Sequence, residues 1–477
     1  MKNEKLMEHI LCEIKKWFHE NGPQMSEISD KIWEVSETKF NEYQSVEILV
    51  ETFEKNGFTI KRNLVKGLPT AFVAEWSNGN GPVIALLGEY DALPGLGNEL
   101  VPEKKPNGKN GHGCGHNLLG VGSMAAALSA AEVMSKMDIR GTIRYFGCPA
   151  EEGGSGKVYM VRDNVFDGID AIVRWHPINA TYVSMASALA NLSIKYEFHG
   201  KSAHAGATPH LGRSALDGVI LMDVAANYLR EHIPTSVRLH SVITNGGMAP
   251  NIVPDLAEIW YYIRAPKRAE IDEVAERMAK IAEGAAMATG TTVTSRILAA
   301  SSEPLPNRVL CNRMLTNLLR VGPPEFSEEE KAFASKMNHG ITPQERIKSM
   351  RMFGINDPSV GNKDLYDSIS TNMCENTVTP YSTDSGDVSW QAPMCQLFVA
   401  AQPIGTANHS WQQVVCSGMG IGHKAMFCAG QTIAMTALDI LTDSDLLNEA
   451  KAEFRQAVNH SPYFCPLPAD LMPGSAE

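Results

Sequence analysis

Basic runs, regular cysteine spacing and long apolar stretches are all missing from this 477-residue chain. There are 42 Lys+Arg against 54 Asp+Glu, a net charge of −12. With no Lys/Arg cluster to offset that charge, no nucleic-acid partner is expected. The nine cysteines are odd in number and irregularly placed, which predicts reduced thiols and argues against a disulfide frame. Residues 1–20 are charged and amphipathic, without the apolar centre of a secretory signal. No uninterrupted run reaches about 18 apolar residues, so no membrane span is expected either. A cytoplasmic location follows as an expectation. Repeats are absent too. What is present, 44% hydrophobic and 20% charged residues, suits a globular chain of two or three domains at roughly 100–200 residues each.

Residues 4–55 carry helical spacing, with Leu6, Ile10, Ile14 and Phe18 on one stripe and Val46, Leu49, Val50 and Phe53 on another. Strands follow at 71–76 and 82–87, a small-residue helix at about 118–137, a strand at 141–147, a helix from about 156 and a strand at 171–174. This alternation predicts an α/β fold whose mostly parallel mixed sheet is flanked by helices. Residues 189–303 change rhythm: strand 190–199, helix 213–231, strands 236–245 and 252–264, helix 267–289, strand 291–300. That order predicts an inserted ferredoxin-like α+β domain. The catalytic domain is therefore expected in two parts, 1–188 and 304–477. The second part holds a polar, weakly periodic elaboration at about 320–383, a strand at 396–401 and a helix from about His423 to Leu441.

Ligands of such sheets sit beyond the carboxyl ends of strands, and the chemistry-bearing residues cluster there in the sequence. Cys114 and His116, in Gly-His-Gly-Cys114-Gly-His116, offer a thiolate and an imidazole on backbone free to bend. Glu151 and Glu152 follow the strand 141–147; one carboxylate can bind a metal while the other takes a proton. His176 ends the next strand. His409 follows the strand 396–401 directly and is preferred over His423, which is expected to open a helix. Asp91 is expected to hold a ligand histidine by its second nitrogen. Within the inserted domain His204 is a candidate oxyanion donor, and Arg213 and Asn251 are candidates for binding a substrate carboxylate.

Taken together, Gly-Glu-Tyr-Asp91-Ala-Leu-Pro94, Gly-His-Gly-Cys114-Gly-His116, Glu151-Glu152-Gly-Gly, Trp-His176-Pro, Ser-Ala-His204-Ala, Asn251-Ile-Val-Pro254 and His409-Ser resemble the metal-dependent amidohydrolases of the aminoacylase/carboxypeptidase superfamily. The resemblance spans nearly the whole chain. It implies a zinc-peptidase-like catalytic domain with two divalent ions per subunit (Zn or Mn, with Co a third candidate). The implied ligands are Cys114, His116, Glu152, His176 and His409, and the implied general base is Glu151. It further implies that the inserted domain is a lid and dimerisation module, joining a homodimer or a heterodimer with a related subunit, and that His204 serves the partner's site. The expected substrate is an N-acyl or N-aroyl amino acid, p-aminobenzoyl-glutamate first among them. A broader aminoacylase or dipeptidase, or a non-catalytic metal-binding subunit, are the alternatives. Where the superfamily's peptidases carry His-x-Asp this chain has Glu89-Tyr90-Asp91, Asn117 replaces the usual Asp, and Ser410-Trp411 replaces Ser-Pro.

Overall fold

The run Val83-Ile-Ala-Leu-Leu-Gly88 has no polar face, and a strand of that kind is stable only when covered on both sides. In the computed structural model, which describes residues 2–475, it is a central strand. The termini of the expected first and last segments, Met1 and Ala476–Glu477, lie outside the described residues. The chain divides into two units: Met1–Ala186, Leu305–Thr377 and Val388–Phe464 form the first, and Ser187–Pro304, Val378–Asp387 and Cys465–Glu477 the second.

The first unit is built on a seven-stranded sheet. Its strands are β1 (Thr59–Arg62), β2 (Phe72–Ser77), β3 (Val83–Gly88), β4 (Thr142–Gly147), β5 (Ala171–Ile178), β6 (Tyr182–Ser184) and the strand Met394–Ala400. Their spatial order is β1-β2-β4-β3-β5, then Met394–Ala400, then β6. The four central strands, β4, β3, β5 and Met394–Ala400, run parallel, and the outer ones antiparallel. The mixed α/β sheet expected from the sequence is present. Helices α1 (Lys2–Val35), α2 (Tyr43–Lys55) and α3 (His116–Met137) pack with the helices Arg308–Val321 and Gly420–Thr442 on the sheet in one large apolar core. Two of these, α3 and Gly420–Thr442, are long and apolar enough by composition to cross a membrane. Their apolar windows are 89% and 78% buried within this core. Gly, His and other polar residues interrupt both, so neither stands out as an unbroken apolar run.

The second unit is a four-stranded antiparallel sheet, ordered Thr292–Ser301, Ala190–His199, Leu256–Ala265, Arg238–Asn245. Helices Ala215–Leu229 and Arg268–Thr289 cover one face, giving the βαββαβ order of a ferredoxin-like domain. This unit also takes in two segments expected, from sequence, in the catalytic domain. Val378–Thr379 pairs in parallel with Ser187–Ala188, and the buried Asp387 carboxylate accepts bonds from the Ser302 N–H and hydroxyl, both at 2.9 Å. Short pairings between residues about 190 apart carry no periodic signal, so they escape pattern reading.

Candidate metal centre

Because β4, β3, β5 and Met394–Ala400 are parallel neighbours, their carboxyl ends open on one edge of the sheet. Glu89 and Asp91 follow β3, Glu151 and Glu152 follow β4, and His409 lies on the loop after Met394–Ala400. His176 sits inside β5, two residues before its end and level with Phe398 of the neighbouring strand; the strand runs further than the expected 171–174. Gly115, in the left-handed conformation at φ 72°, turns the chain into α3 so that His116 is its first residue. A side chain at Gly115 would also meet Gln413 Nε2 and Pro177 Cγ at 2.8 Å.

Three sets of donor atoms lie within 4.8 Å of one another: Cys114, His116 and His176; Cys114, Glu152 and His409; and His116, Glu151 and Glu152. Cys114 Sγ is 3.5 Å from His176 Nε2, and His409 Nε2 is 3.2 Å from Glu152 Oε1. His176 Nδ1 bonds the Pro177 carbonyl at 2.9 Å, so its Nε2 lone pair faces the thiol. Asp91 ties two ligand loops together. One of its oxygens bonds His116 Nδ1 at 2.9 Å and the other accepts the Glu152 N–H at 2.8 Å. His116 is thereby aimed by a carboxylate, as in many metal sites.

The electrostatics suit a cation. Burial opposes charge on His116, but the Cys114 and Asp91 anions overcome it and hold its proton well above the ordinary imidazole range. Bonds to Cys114 and Glu152 likewise raise His409, against some desolvation. Burial and the nearby His116 push His176 down to about 3, which keeps it neutral. His116 Nε2 and Glu152 Oε1 are buried without a well-formed hydrogen bond, their nearest groups being Glu89 at 3.3 Å and His409 at 3.2 Å, an expensive state for polar atoms unless something else binds them. A thiolate, imidazoles and carboxylates that converge with unused lone pairs fit a borderline divalent ion such as Zn²⁺.

Around the site, Lys157, Arg174, Glu42 and His112 were not singled out by sequence, and Glu89 was placed only as the residue standing where peptidases carry histidine. Glu89 Oε2 is 3.3 Å from His116 Nε2, while its other oxygen meets Lys157 Nζ at 2.7 Å and Arg174 Nη2 at 3.7 Å. All of these side chains are buried. Burial works against ionising Glu89, but Lys157, His116 and Arg174 keep it well below the usual carboxylate range. Glu42, fully buried, accepts the Ala150 and Phe40 N–H groups at 2.8 and 3.0 Å and the Thr70 hydroxyl at 3.0 Å. It thereby anchors the residue before Glu151, whose φ of 56° is left-handed. Burial, with the Asp91 charge, pushes Glu42 up to about 8. His112 bonds the Ile32 carbonyl of α1 at 3.1 Å. Asn117 donates to Ser29 Oγ at 3.0 Å and to the Ser417 carbonyl at 2.9 Å, so at this position it is a packing amide. The competing His423 lies within the helix Gly420–Thr442 and pairs with Asp30 at 2.8 Å, not with the donor cluster.

The other candidates sit in the second unit. His204 is exposed; its Nδ1 accepts the Gly206 and Ala207 N–H groups at 3.2 and 3.0 Å, which leaves the proton on Nε2. The Asn251 carbonyl accepts the Ala205 N–H at 3.0 Å, so Asn251 and His204 lie on paired segments. The Arg213 guanidinium bonds the Gly212 and His210 carbonyls at 2.6 and 3.3 Å.

Comparison with known proteins agrees with this geometry. A family described as a peptidase dimerisation domain matches residues 189–289. The chain is 43% identical over 98% of its length, and 99% of the relative's, to the B-type subunit of p-aminobenzoyl-glutamate hydrolase of Escherichia coli (strain K12). It is 29% identical over 91% of its length, and 90% of the relative's, to Xaa-Arg dipeptidase of Mus musculus. The fold matches a Bacillus subtilis protein described as a dinuclear metal binding peptidase from the M20 family, with a TM-score of 0.56 at 16% identity, covering 88% of this chain and 98% of that one. Its identity over nearly full length to the Escherichia coli relative, together with the dimerisation module, shows that the chain belongs to the M20 family and is a metallo-amidohydrolase.

Proposed function

We propose that the chain hydrolyses the amide bond of p-aminobenzoyl-glutamate or a closely similar N-aroyl or N-acyl amino acid, using two divalent ions, Zn or Mn with Co as a third candidate. Cys114, His116 and His176 would hold one ion and Cys114, Glu152 and His409 the other. The observation that carries this reading is the sharing of Cys114 between two donor sets, with Glu151 close to His116 and Glu152 in a third. Bound there, such ions would polarise the amide carbonyl and acidify water towards a pKa of about 7. Glu151 takes the proton of the attacking water and delivers it to the leaving amine. Asp91 fixes the His116 ring. His204, whose Nε2 carries the proton, donates to the developing oxyanion, and Arg213 or Asn251 receives the amino-acid carboxylate. Likeness to one subunit of a hydrolase, and the apolar side chains exposed on the helix Ala215–Leu229 (Ile220, Val224, Tyr228) and the edge strand Arg238–Asn245 (Val242, Ile243), support pairing through the second unit, with a second copy or a related subunit. A cytoplasmic setting, where thiols stay reduced, suits a working thiolate.

The test is Glu151→Gln. The variant should keep two ions per chain, read by elemental analysis, and lose turnover of p-aminobenzoyl-glutamate by at least about a hundredfold. Wild-type turnover in that variant would refute the mechanism. Preference for Xaa-Arg or acetyl-amino acids in a substrate panel would replace the proposed substrate and leave the mechanism standing.

A further inference from the structure

His409 differs from the other proposed ligands in how it is held. Its side chain is 51% exposed, against 0% for His116 and 10% for Glu152. Packing of the ring therefore does little to place it. Its backbone is left-handed, at φ 58°, a conformation that a non-glycine residue keeps only when its surroundings impose it. One restraint is local: the His409 N–H donates to the Gly113 carbonyl at 2.8 Å, beside Cys114. The rest comes from the two arms of the loop, Ile404 on one side and Trp411–Cys416 on the other.

Both arms are packed by the polar elaboration. Ile404 enters a small core with Met350, Val360 and Tyr366. Val415 and Cys416, with Trp411 at the edge, enter another with Phe326, Met337 and Leu365. The first of these cores also takes in Ile178, Tyr182, Phe398 and Ala400 of the sheet, so it seats the loop arm and the elaboration together on the strands that lead to the site. A polar clasp fastens the first arm. The Ile404 N–H donates to the Asp364 carbonyl at 2.8 Å, while the Asp364 carboxylate is held by Arg346 Nη2 at 3.0 Å and Asn338 Nδ2 at 3.2 Å. Arg346 also donates to the Lys363 carbonyl at 3.0 Å. Gly405, at φ 91°, lies flush on this surface; a Cβ there would stand 2.8 Å from Ile341 Cγ2 and 3.4 Å from Arg346 Cγ.

We infer that the part of the elaboration lying in the first unit, residues 323–377, is a brace whose function is to position His409, and so to set the affinity of one metal position and not the other. This rests on the reading of His409 as a ligand. The brace residues are positioning residues: none is among the donor atoms, and they act through the backbone on either side of His409. It explains why a polar, weakly periodic segment places apolar residues against both arms of a single loop, Ile404 on one side and Val415 and Cys416 on the other.

The test uses the full-length chain loaded with Zn²⁺ and titrated against a chelator, with bound zinc counted at each step. Gly405→Ala wedges the loop off the brace, and Asp364→Asn, a milder change, weakens the clasp while keeping side-chain shape. Leu438→Ala, a cavity in the main core, serves as a control matched for lost thermal stability. Wild type should bind two ions. In the two loop variants one ion should leave at roughly tenfold lower chelator strength, as for other groups that orient ligands, with the second ion unmoved and Leu438→Ala like wild type. Equal weakening of both ions, no change, or selective loss in Leu438→Ala would overturn the brace while leaving the metal site intact. Fewer than two ions on the wild-type chain would overturn the ligand reading itself, and the brace with it.

Discussion

Replacing Lys157 with Met should be among the most damaging single changes outside the proposed ligands. Lys157 Nζ and Glu89 Oε1 are 2.7 Å apart, with side chains 0% and 1% exposed. At an effective dielectric of about 20 the pair attracts by about 6 kcal/mol, and Arg174 at 3.7 Å supplies about 4.5 kcal/mol of the same kind. Met leaves the Glu89 carboxylate buried without its nearest cation, against Arg174 and His116. Removing one member of a buried ion pair typically costs 3–5 kcal/mol; with Arg174 remaining, about 3 kcal/mol is expected here. The measurement is urea unfolding of metal-free chains, followed by a probe of the first unit, for Lys157→Met, Glu89→Gln and the double variant. Either single change strands a charge, whereas the double change strands neither Lys157 nor Glu89. The two losses should therefore fall short of additivity by about 2–3 kcal/mol. A loss below about 1 kcal/mol in Lys157→Met, or strict additivity, would show that the pair does not hold Glu89 against His116 as described.

Two further outcomes follow from the site. Cys114→Ala should cost both ions and His409→Ala only one, counted by elemental analysis; loss of a single ion from Cys114→Ala would refute the shared thiolate. Glu42 has its pKa raised to about 8 by burial, above the ordinary carboxylate range, so its protonated form stabilises the fold. That contribution is complete below about pH 4.5 and is lost as pH rises through about 8, at no more than about 1.4 kcal/mol per unit. Glu42→Gln should flatten this part of the stability–pH curve, and parallel curves for the two proteins between about pH 5 and pH 9 would refute the assignment.

The strand-end positions of Glu89, Asp91, Glu151 and Glu152 were legible because continuous apolar strands announce themselves, and parallel sheets put their chemistry at one edge. The ferredoxin-like order of 190–301 was legible for a similar reason: its strands and helices are long enough to show their periods. Lys157 carries no signal of its own at the start of the helix expected from about residue 156. Its burial depends on a carboxylate 68 residues earlier, and no local pattern encodes that register. Glu42 went unmarked for the same reason: its partners Thr70 and Ala150 are distant in sequence. His409 and His423 could be ranked only by local context; the bond from His423 to Asp30 that separates them spans 393 residues. The elaboration was opaque because its apolar residues fill two small clusters, too few on any one helix to make a stripe.

The place of the strand Met394–Ala400 has a consequence for how the molecule is made. It lies between β5 and β6, two strands joined by only a short turn. A chain leaving the ribosome therefore displays the open edge of β5 for more than 200 residues before the strand that fills it exists. Until then the sheet cannot close, and the loop bearing His409 has not been synthesised. Contacts of such long range form late and slowly, and an unfilled, apolar strand edge is an invitation to pair with the wrong chain. Metal capture through His409, as proposed above, thus waits until most of the chain has been made, and chains stalled before residue 394 have an exposed sheet edge to be guarded by chaperones.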